Sequence, residues 1–194
     1  MFQNIKNVSY LNLMKHDFSL ELFIHSNNVA NIAIKMADEM KLNEGEKQML
    51  YEEALYHDIG KSKTPETILY KKGRLLPSEW EIMQRHAIYS QELYLSVVDN
   101  NDNSIEKARA IRHHHENWDG TGYPDKIMGE DIPLHSRIIR IADIFDAITQ
   151  HRIYRPYCIA NPLRLMEEME EKAIDSYIFR KSYCLFKRLL ANQK

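Results

Sequence analysis

Apolar residues recur at helical spacing along most of the chain. From Leu20 to Met40 they fall at Leu22, Ile24, Val29, Ile32, Ala33 and Met36, a rough stripe along one face. Glu46 to His57 continues with Met49, Leu50, Ala54 and Leu55, until Gly60 and Pro65 break the pattern. The segment from Leu76 to Glu81 reads as a helix start, with Ser78 as N-cap and Glu81 at N3, and predicts a helix running to about Val97. Asp99 to Asn103 is a polar turn. Ile105 to about His114 is the next helix, followed by a loop with Gly120, Gly122, Pro124, Gly129 and Pro133. Ser136 to Gln150 is apolar on a helical period through Ile138, Ile139, Ile141, Ile144, Phe145 and Ile148. Two further helices fit Pro162 to Lys172 and Ser176 to Leu190. No alternating strand pattern of useful length is present. The expected fold is a single compact all-α domain of roughly seven helices, without repeats, low-complexity segments or linkers.

Composition narrows the class. With 194 residues, 44% hydrophobic and 28% charged, the chain has the make-up of a soluble globular domain with a full core. A net charge of -2 supplies no positive field for gripping a nucleic-acid polymer, although local basic clusters still suit a small anion. Two cysteines, Cys158 and Cys184, are too few for a disulfide framework. No signal-like or bilayer-spanning run occurs, so a cytoplasmic protein with no membrane partner is expected.

The candidate chemistry lies in an ordered series of imidazoles and carboxylates. His57 and Asp58 open it, in HDIGK (His57 to Lys61). His86 follows, then His114 and His115 in HHENWDGTGYP (His114 to Pro124), and Asp143 closes it in IADIFDA (Ile141 to Ala147). Mixed imidazole and carboxylate donors suit two or more divalent cations, which activate water at neutral pH and neutralise phosphate charge. One such histidine alone is more often structural; the set carries the reading. His16, His113, His135 and His151 read as surface or capping residues. Glu21 and His25 stand four residues apart and so share one helix face: a ligand pair, or a solvent-facing Glu beside a packed His.

The His-Asp pair followed by Gly60 and Lys61, the distant histidines and the long HHE-x-W-DG-x-GYP string together resemble the HD-GYP family of metal-dependent phosphohydrolases. The resemblance runs from about Glu21 to Tyr157 and sets a short extension (1–18) before an HD-GYP domain (19–194). That family hydrolyses cyclic di-GMP, so the resemblance implies a phosphodiesterase that opens cyclic di-GMP to linear pGpG, with GMP as the product of a second cut. It implies His57, Asp58, His86, His114, His115 and Asp143 as metal ligands, with Asp58 bridging two metals and a hydroxide held between them as the attacking group. Glu21 and His25 match the pair that holds a third metal in some members. The cofactor is then two or three divalent ions, iron or manganese rather than zinc. Lys61, a candidate for protonating the leaving group, and Arg152 and Arg155 match phosphate-contacting positions. Tyr123 either contacts a guanine or packs, and Trp118 packs.

The chain departs from the family where Ile153 replaces a proline, and Ala173 to Ser176 replaces a Gly and a Phe-Asp-Pro string. Only about 18 residues precede the pattern, so control by an attached sensory domain is not expected. A diguanylate cyclase or another signalling protein is a candidate partner, and a homodimer is compatible with the sequence. The competing readings are hydrolysis of another cyclic dinucleotide or nucleotide, and a catalytically weak module that binds cyclic di-GMP.

Overall fold

The computed structural model describes residues 18–99, 101–150 and 159–192. Arg152, Arg155 and Ile153 lie outside the described residues, as does nearly all of the expected N-terminal extension. The α-helices are α1 (Phe18–Met40), α2 (Glu44–Tyr56), α3 (Glu66–Leu69), α4 (Pro77–Gln84), α5 (His86–Val97), α6 (Asp102–Arg112), α7 (Leu134–Thr149), α8 (Pro162–Glu167) and α9 (Ser176–Ala191). Short 3-10 turns cover Ile59–Lys63 and Gly129–Asp131, and no strand occurs among the described residues. The all-α expectation holds.

Local chemistry explains where the boundaries differ from expectation. Asn43 caps α2: its side-chain oxygen accepts the Glu46 N–H at 3.0 Å, while Glu46 accepts the Asn43 N–H at 2.8 Å. That box starts the helix ahead of Glu46. In α4 the cap lies two residues earlier than expected. Pro77 takes the first helical position, where a missing N–H costs nothing, and Glu79, not Glu81, accepts the Leu76 N–H at 2.7 Å. The helix expected to run from Ser78 to Val97 breaks at Arg85. There the Arg85 N–H turns to the Ile82 carbonyl at 3.2 Å, and the Met83 carbonyl accepts the side-chain Nδ1–H of His86 at 2.7 Å. A histidine that takes a backbone acceptor thus marks the break. The helix expected through Lys172 stops at Glu167, and the chain reverses through Glu171 at φ 60°.

Two apolar clusters frame the molecule. The larger joins α1, α2, α7, α8 and α9 through residues such as Val29, Met36, Leu50, Ile138, Phe145, Met166, Phe179 and Phe186. The smaller joins α1, α2, α5 and α6 through Leu22, Leu55, Tyr56, Ile59, Tyr94, Ala108 and Ile111. Helices α1 and α2 belong to both. The site residues emerge from the elements these clusters bind together.

Gly60 fixes the approach of the His-Asp turn to α5. Its N–H donates to Ser90 Oγ at 2.8 Å, and a Cβ there would stand 2.1 Å from the His86 carbonyl oxygen and 2.4 Å from the Ser90 nitrogen. Both neighbours are backbone and cannot swing aside. Gly60→Ala is expected to cost about 3 kcal/mol of stability and to push His86 away from Asp58. Urea denaturation and the metal content of the folded fraction check this.

Candidate metal centre

Five elements deliver the candidate ligands. His25 comes from α1, His57 and Asp58 from the end of α2 and the turn after it. His86 opens α5, His114 follows the end of α6, and Asp143 lies on α7. His57, His86 and His114 use the same local device. Each Nδ1–H donates to the backbone carbonyl three residues earlier: Ala54 at 2.7 Å, Met83 at 2.7 Å and Ile111 at 2.6 Å. The Nδ1 of His25 donates to Asp146 Oδ2 at 2.7 Å. A neutral imidazole with its proton on Nδ1 presents its lone pair at Nε2, so all four rings are set as Nε2 ligands.

These nitrogens gather around one carboxylate. Asp58 Oδ1 lies 3.2 Å from His86 Nε2 and 3.8 Å from His114 Nε2. Its Oδ2 lies 3.4 Å from His25 Nε2 and 3.5 Å from His57 Nε2. Asp143 Oδ1 joins the second set at 3.2 Å from His25 Nε2. Two clusters of potential ligand atoms therefore share Asp58: one with His86, His114 and His115, the other with His25 and His57, each with its atoms within 4.8 Å of one another. His57 Nε2 and Asp58 Oδ1 are buried with no hydrogen-bond partner among the described residues. Orphaned buried polar atoms are costly, and a cation between them satisfies both. The residues fit a pair of divalent ions.

Electrostatics agree with that fit. Burial pushes His57 down to about 3 and lowers His86, keeping both neutral. Burial opposes ionisation of Asp58, but Lys61 and His57 hold its carboxyl well below the usual range. Burial likewise opposes ionisation of Asp143, and its hydrogen bond with His25 outweighs it. His25 is raised to about 10, since hydrogen bonds to Asp143, Asp146 and Asp58 overcome burial. Three carboxylates thus converge on one ring, a pocket that calls for positive charge.

The remaining expected residues divide. Lys61 sits at the cluster, its Nζ 2.5 Å from Asp58 Oδ2. Tyr123, next to a cis bond with Pro124, lays its ring 4.8 Å from that of His115 and 6.2 Å from those of His86 and Trp80. Glu21 is half-buried one turn before His25 and enters neither cluster of ligand atoms. His113 and His135, read as surface or capping residues, both turn inward, and His113 is the C-cap of α6. His135 pairs with buried Glu53 at 2.6 Å, and His113 with Asp125 at 2.8 Å. His113, Glu116 and Asp125 form a further cluster of possible ligands, but Arg112 already grips Asp125 with two bonds of 2.6 and 2.7 Å.

Sequence reading missed three residues. Asp146 orients His25 from one turn beyond Asp143, and an acid inside the apolar string IADIFDA was its signal. Glu116 accepts the N–H groups of Asp125 at 2.7 Å and Lys126 at 3.0 Å, tying down the Tyr123 turn. Arg140, on α7, places one guanidinium nitrogen 3.0 Å from His115 Nδ1 and another 2.8 Å from Asn117 Oδ1. Burial lowers His115 well below the usual histidine range, and His114, His86 and Arg140 add to the effect.

The HD-domain family profile matches residues 12–178, and the chain belongs to that family. The HD-GYP resemblance read from HHENWDGTGYP agrees with its relatives. It is 41% identical over 159 residues to 3'3'-cGAMP-specific phosphodiesterase 1 of Vibrio cholerae, covering 81% of this chain and 36% of that protein. It is 39% identical over 127 residues to the cyclic di-GMP phosphodiesterase response regulator RpfG of Xanthomonas campestris, covering 66% of this chain and 33% of that protein. Bd1817, an HDG"Y"P protein from Bdellovibrio bacteriovorus, shares the fold with a TM-score of 0.67 at 18% identity, covering 95% of this chain and 58% of that one. The chain spans about a third of the length of these two curated relatives. No described helix is long and apolar enough to cross a membrane.

Proposed function

We propose that the protein is a metal-dependent phosphodiesterase that opens cyclic di-GMP to linear pGpG, and cuts further to GMP. The observation that carries this reading is Asp58, whose two oxygens face two separate sets of imidazoles in a chain bearing HHENWDGTGYP. When bound, the ions would lower the pKa of water and neutralise phosphoryl charge. His25, His57 and Asp143 would hold one ion with Asp58; His86, His114 and His115 would hold the other. The carbonyls of Ala54, Met83 and Ile111 and the carboxylate of Asp146 keep the rings in the required tautomer. Lys61 offers a compact charge beside Asp58 to a phosphate seated there, and the Tyr123 ring forms an aromatic wall for a base. Arg152 and Arg155 are proposed to grip the second phosphate, on the resemblance alone. Iron or manganese is the proposed metal, since the mixed donor set admits both and the resemblance favours them.

Two ions account for the ligands that converge. Glu21 is the residue that would add a third. Glu21→Ala is therefore expected to keep both ions per chain and most of its turnover. Elemental analysis showing one ion lost from a parent with three would establish the third site instead.

A second reading has a specific support: the relative at 41% identity is named for 3'3'-cGAMP. Turnover of cyclic di-GMP and 3'3'-cGAMP measured side by side, with products separated by chromatography, decides between them. The proposal expects cyclic di-GMP to have the higher kcat/KM. A reversed order gives the substrate to the second reading, and cleavage of mononucleotides alone sinks both.

A further inference from the structure

Helix α4 (Pro77–Gln84) has no buried side chain, yet it is fastened at both ends and carries a tryptophan. At its start, one oxygen of Glu79 accepts the Leu76 N–H at 2.7 Å and a hydrogen bond from Lys71 Nζ at 2.6 Å. Its last turn offers the Met83 carbonyl to the Nδ1–H of His86 at 2.7 Å, so the same helix orients a ligand of the metal centre. Trp80 stands one turn before Met83 and is 47% exposed. It belongs to neither apolar cluster, so core packing does not account for an indole at this position.

What Trp80 touches is the edge of the site. Its ring lies 6.2 Å from that of Tyr123 at an interplanar angle of 82°. Tyr123 in turn lies 6.2 Å from the ring of His86 and 4.8 Å from that of His115. The rings form a row that leads outward from the ligands and ends at the half-exposed indole. Two rings almost at right angles make a corner. A planar base laid on one of them meets the other with its edge, and aromatic rings favour both arrangements. Both walls are set in advance. The Tyr123 N–H donates to the His115 carbonyl at 3.3 Å, and Glu116 ties down Asp125 and Lys126 just beyond it. A platform fixed before its ligand arrives loses little side-chain freedom on binding.

We propose that Trp80 is the stacking platform for one base of the cyclic dinucleotide, completing the corner that Tyr123 begins. A phosphate seated beside the ligands leaves the base of its own nucleotide further out along the row, where the surface on offer is aromatic. Covering the indole also takes its apolar area out of water. Every nucleobase has a flat π face, so the platform holds a base without choosing between guanine and adenine. It meets the substrate away from phosphorus, so it contributes equally to the ground state and the transition state.

The inference rests on the phosphodiesterase reading above, and the test separates the two. In metal-loaded protein, Trp80→Ala is expected to raise KM for cyclic di-GMP about tenfold, the size of one base stack, and to change kcat by less than about twofold. KM for 3'3'-cGAMP is expected to rise by the same factor, with metal content equal to that of the parent. Trp80→Phe, which keeps a ring face, is expected to recover most of the loss. Binding is also read apart from turnover. Trp80 and Trp118 are the two tryptophans of the chain, and rapid mixing with cyclic di-GMP should quench the emission of the parent but not of Trp80→Phe. An unchanged KM in Trp80→Ala, or a quench that survives in Trp80→Phe, overturns the inference. Loss of metal together with kcat would mean that Trp80 holds α4 and His86 in place, and overturns it as well. Should Trp80→Ala fold poorly, the Phe variant and the emission of the parent still decide. A parent whose Trp80 emission is quenched by cyclic di-GMP but which cleaves no cyclic dinucleotide would keep the platform and remove the phosphodiesterase reading, a different result from either.

Discussion

Asp58→Ala is expected to remove both metal ions and reduce cyclic dinucleotide turnover to background, a loss of about 10⁴-fold or more. The reason is the division of one carboxylate between two sites. Its Oδ1 serves the pair His86 and His114 and its Oδ2 the pair His25 and His57, with contacts of 3.2 to 3.8 Å. No other carboxylate among the described residues is placed to face both. Asp58→Asn keeps the volume but offers one oxygen and one amide, so it is expected to retain at most one ion. Elemental analysis of both variants beside the parent reads the effect directly. An Asp58→Ala protein that keeps two ions would show that the two halves of the centre do not depend on the shared acid.

Removal of the metals is expected to be the second large effect. The centre buries Asp58, His57, His86 and His114 almost completely, and leaves His57 Nε2 and Asp58 Oδ1 without hydrogen-bond partners among the described residues. Ions that bind only the folded chain stabilise it by mass action, about 4 kcal/mol at a thousand-fold excess over Kd. In a chain of 194 residues this corresponds to roughly 10 °C in Tm. Chelation should therefore lower Tm by about that amount and abolish turnover, and adding back iron or manganese should restore both. A Tm unmoved by chelator, in protein shown to have lost its ions, would mean that the centre does not link the helices.

The parts of this site that were legible in the sequence are those whose chemistry is local. HDIGK and HHENWDGTGYP place their ligands within a few residues of turn glycines, and the structure brings His57, Asp58, His86 and His114 to one point. The helical period through Ile138, Ile141, Phe145 and Ile148 was equally plain, because a buried helix such as α7 repeats its apolar face. What was not legible depends on contacts between distant segments. Asp146 acquires its role from His25, 121 residues away, and Arg140 from His115, 25 residues away. Neither residue type announces its partner. The spacing of Glu21 and His25 fixed that they share a helix face, but not what the face meets. His25 meets Asp58, Asp143 and Asp146, and Glu21 enters neither ligand cluster. The break at Arg85 was hidden for another reason. It follows from His86 using its side chain on a backbone carbonyl, which helix periodicity does not encode.

The central claim is that this cluster hydrolyses a cyclic dinucleotide through metals it holds itself. Its most direct test is a single titration. Metal-free protein is loaded stepwise with iron or manganese without oxygen, and at each step the ions per chain and the rate of conversion of cyclic di-GMP to pGpG are both measured. Activity should rise with occupancy and reach its plateau at two ions per chain, with pGpG appearing before GMP. Full occupancy with no cleavage of any cyclic dinucleotide, or cleavage that proceeds equally without ions, would contradict the account.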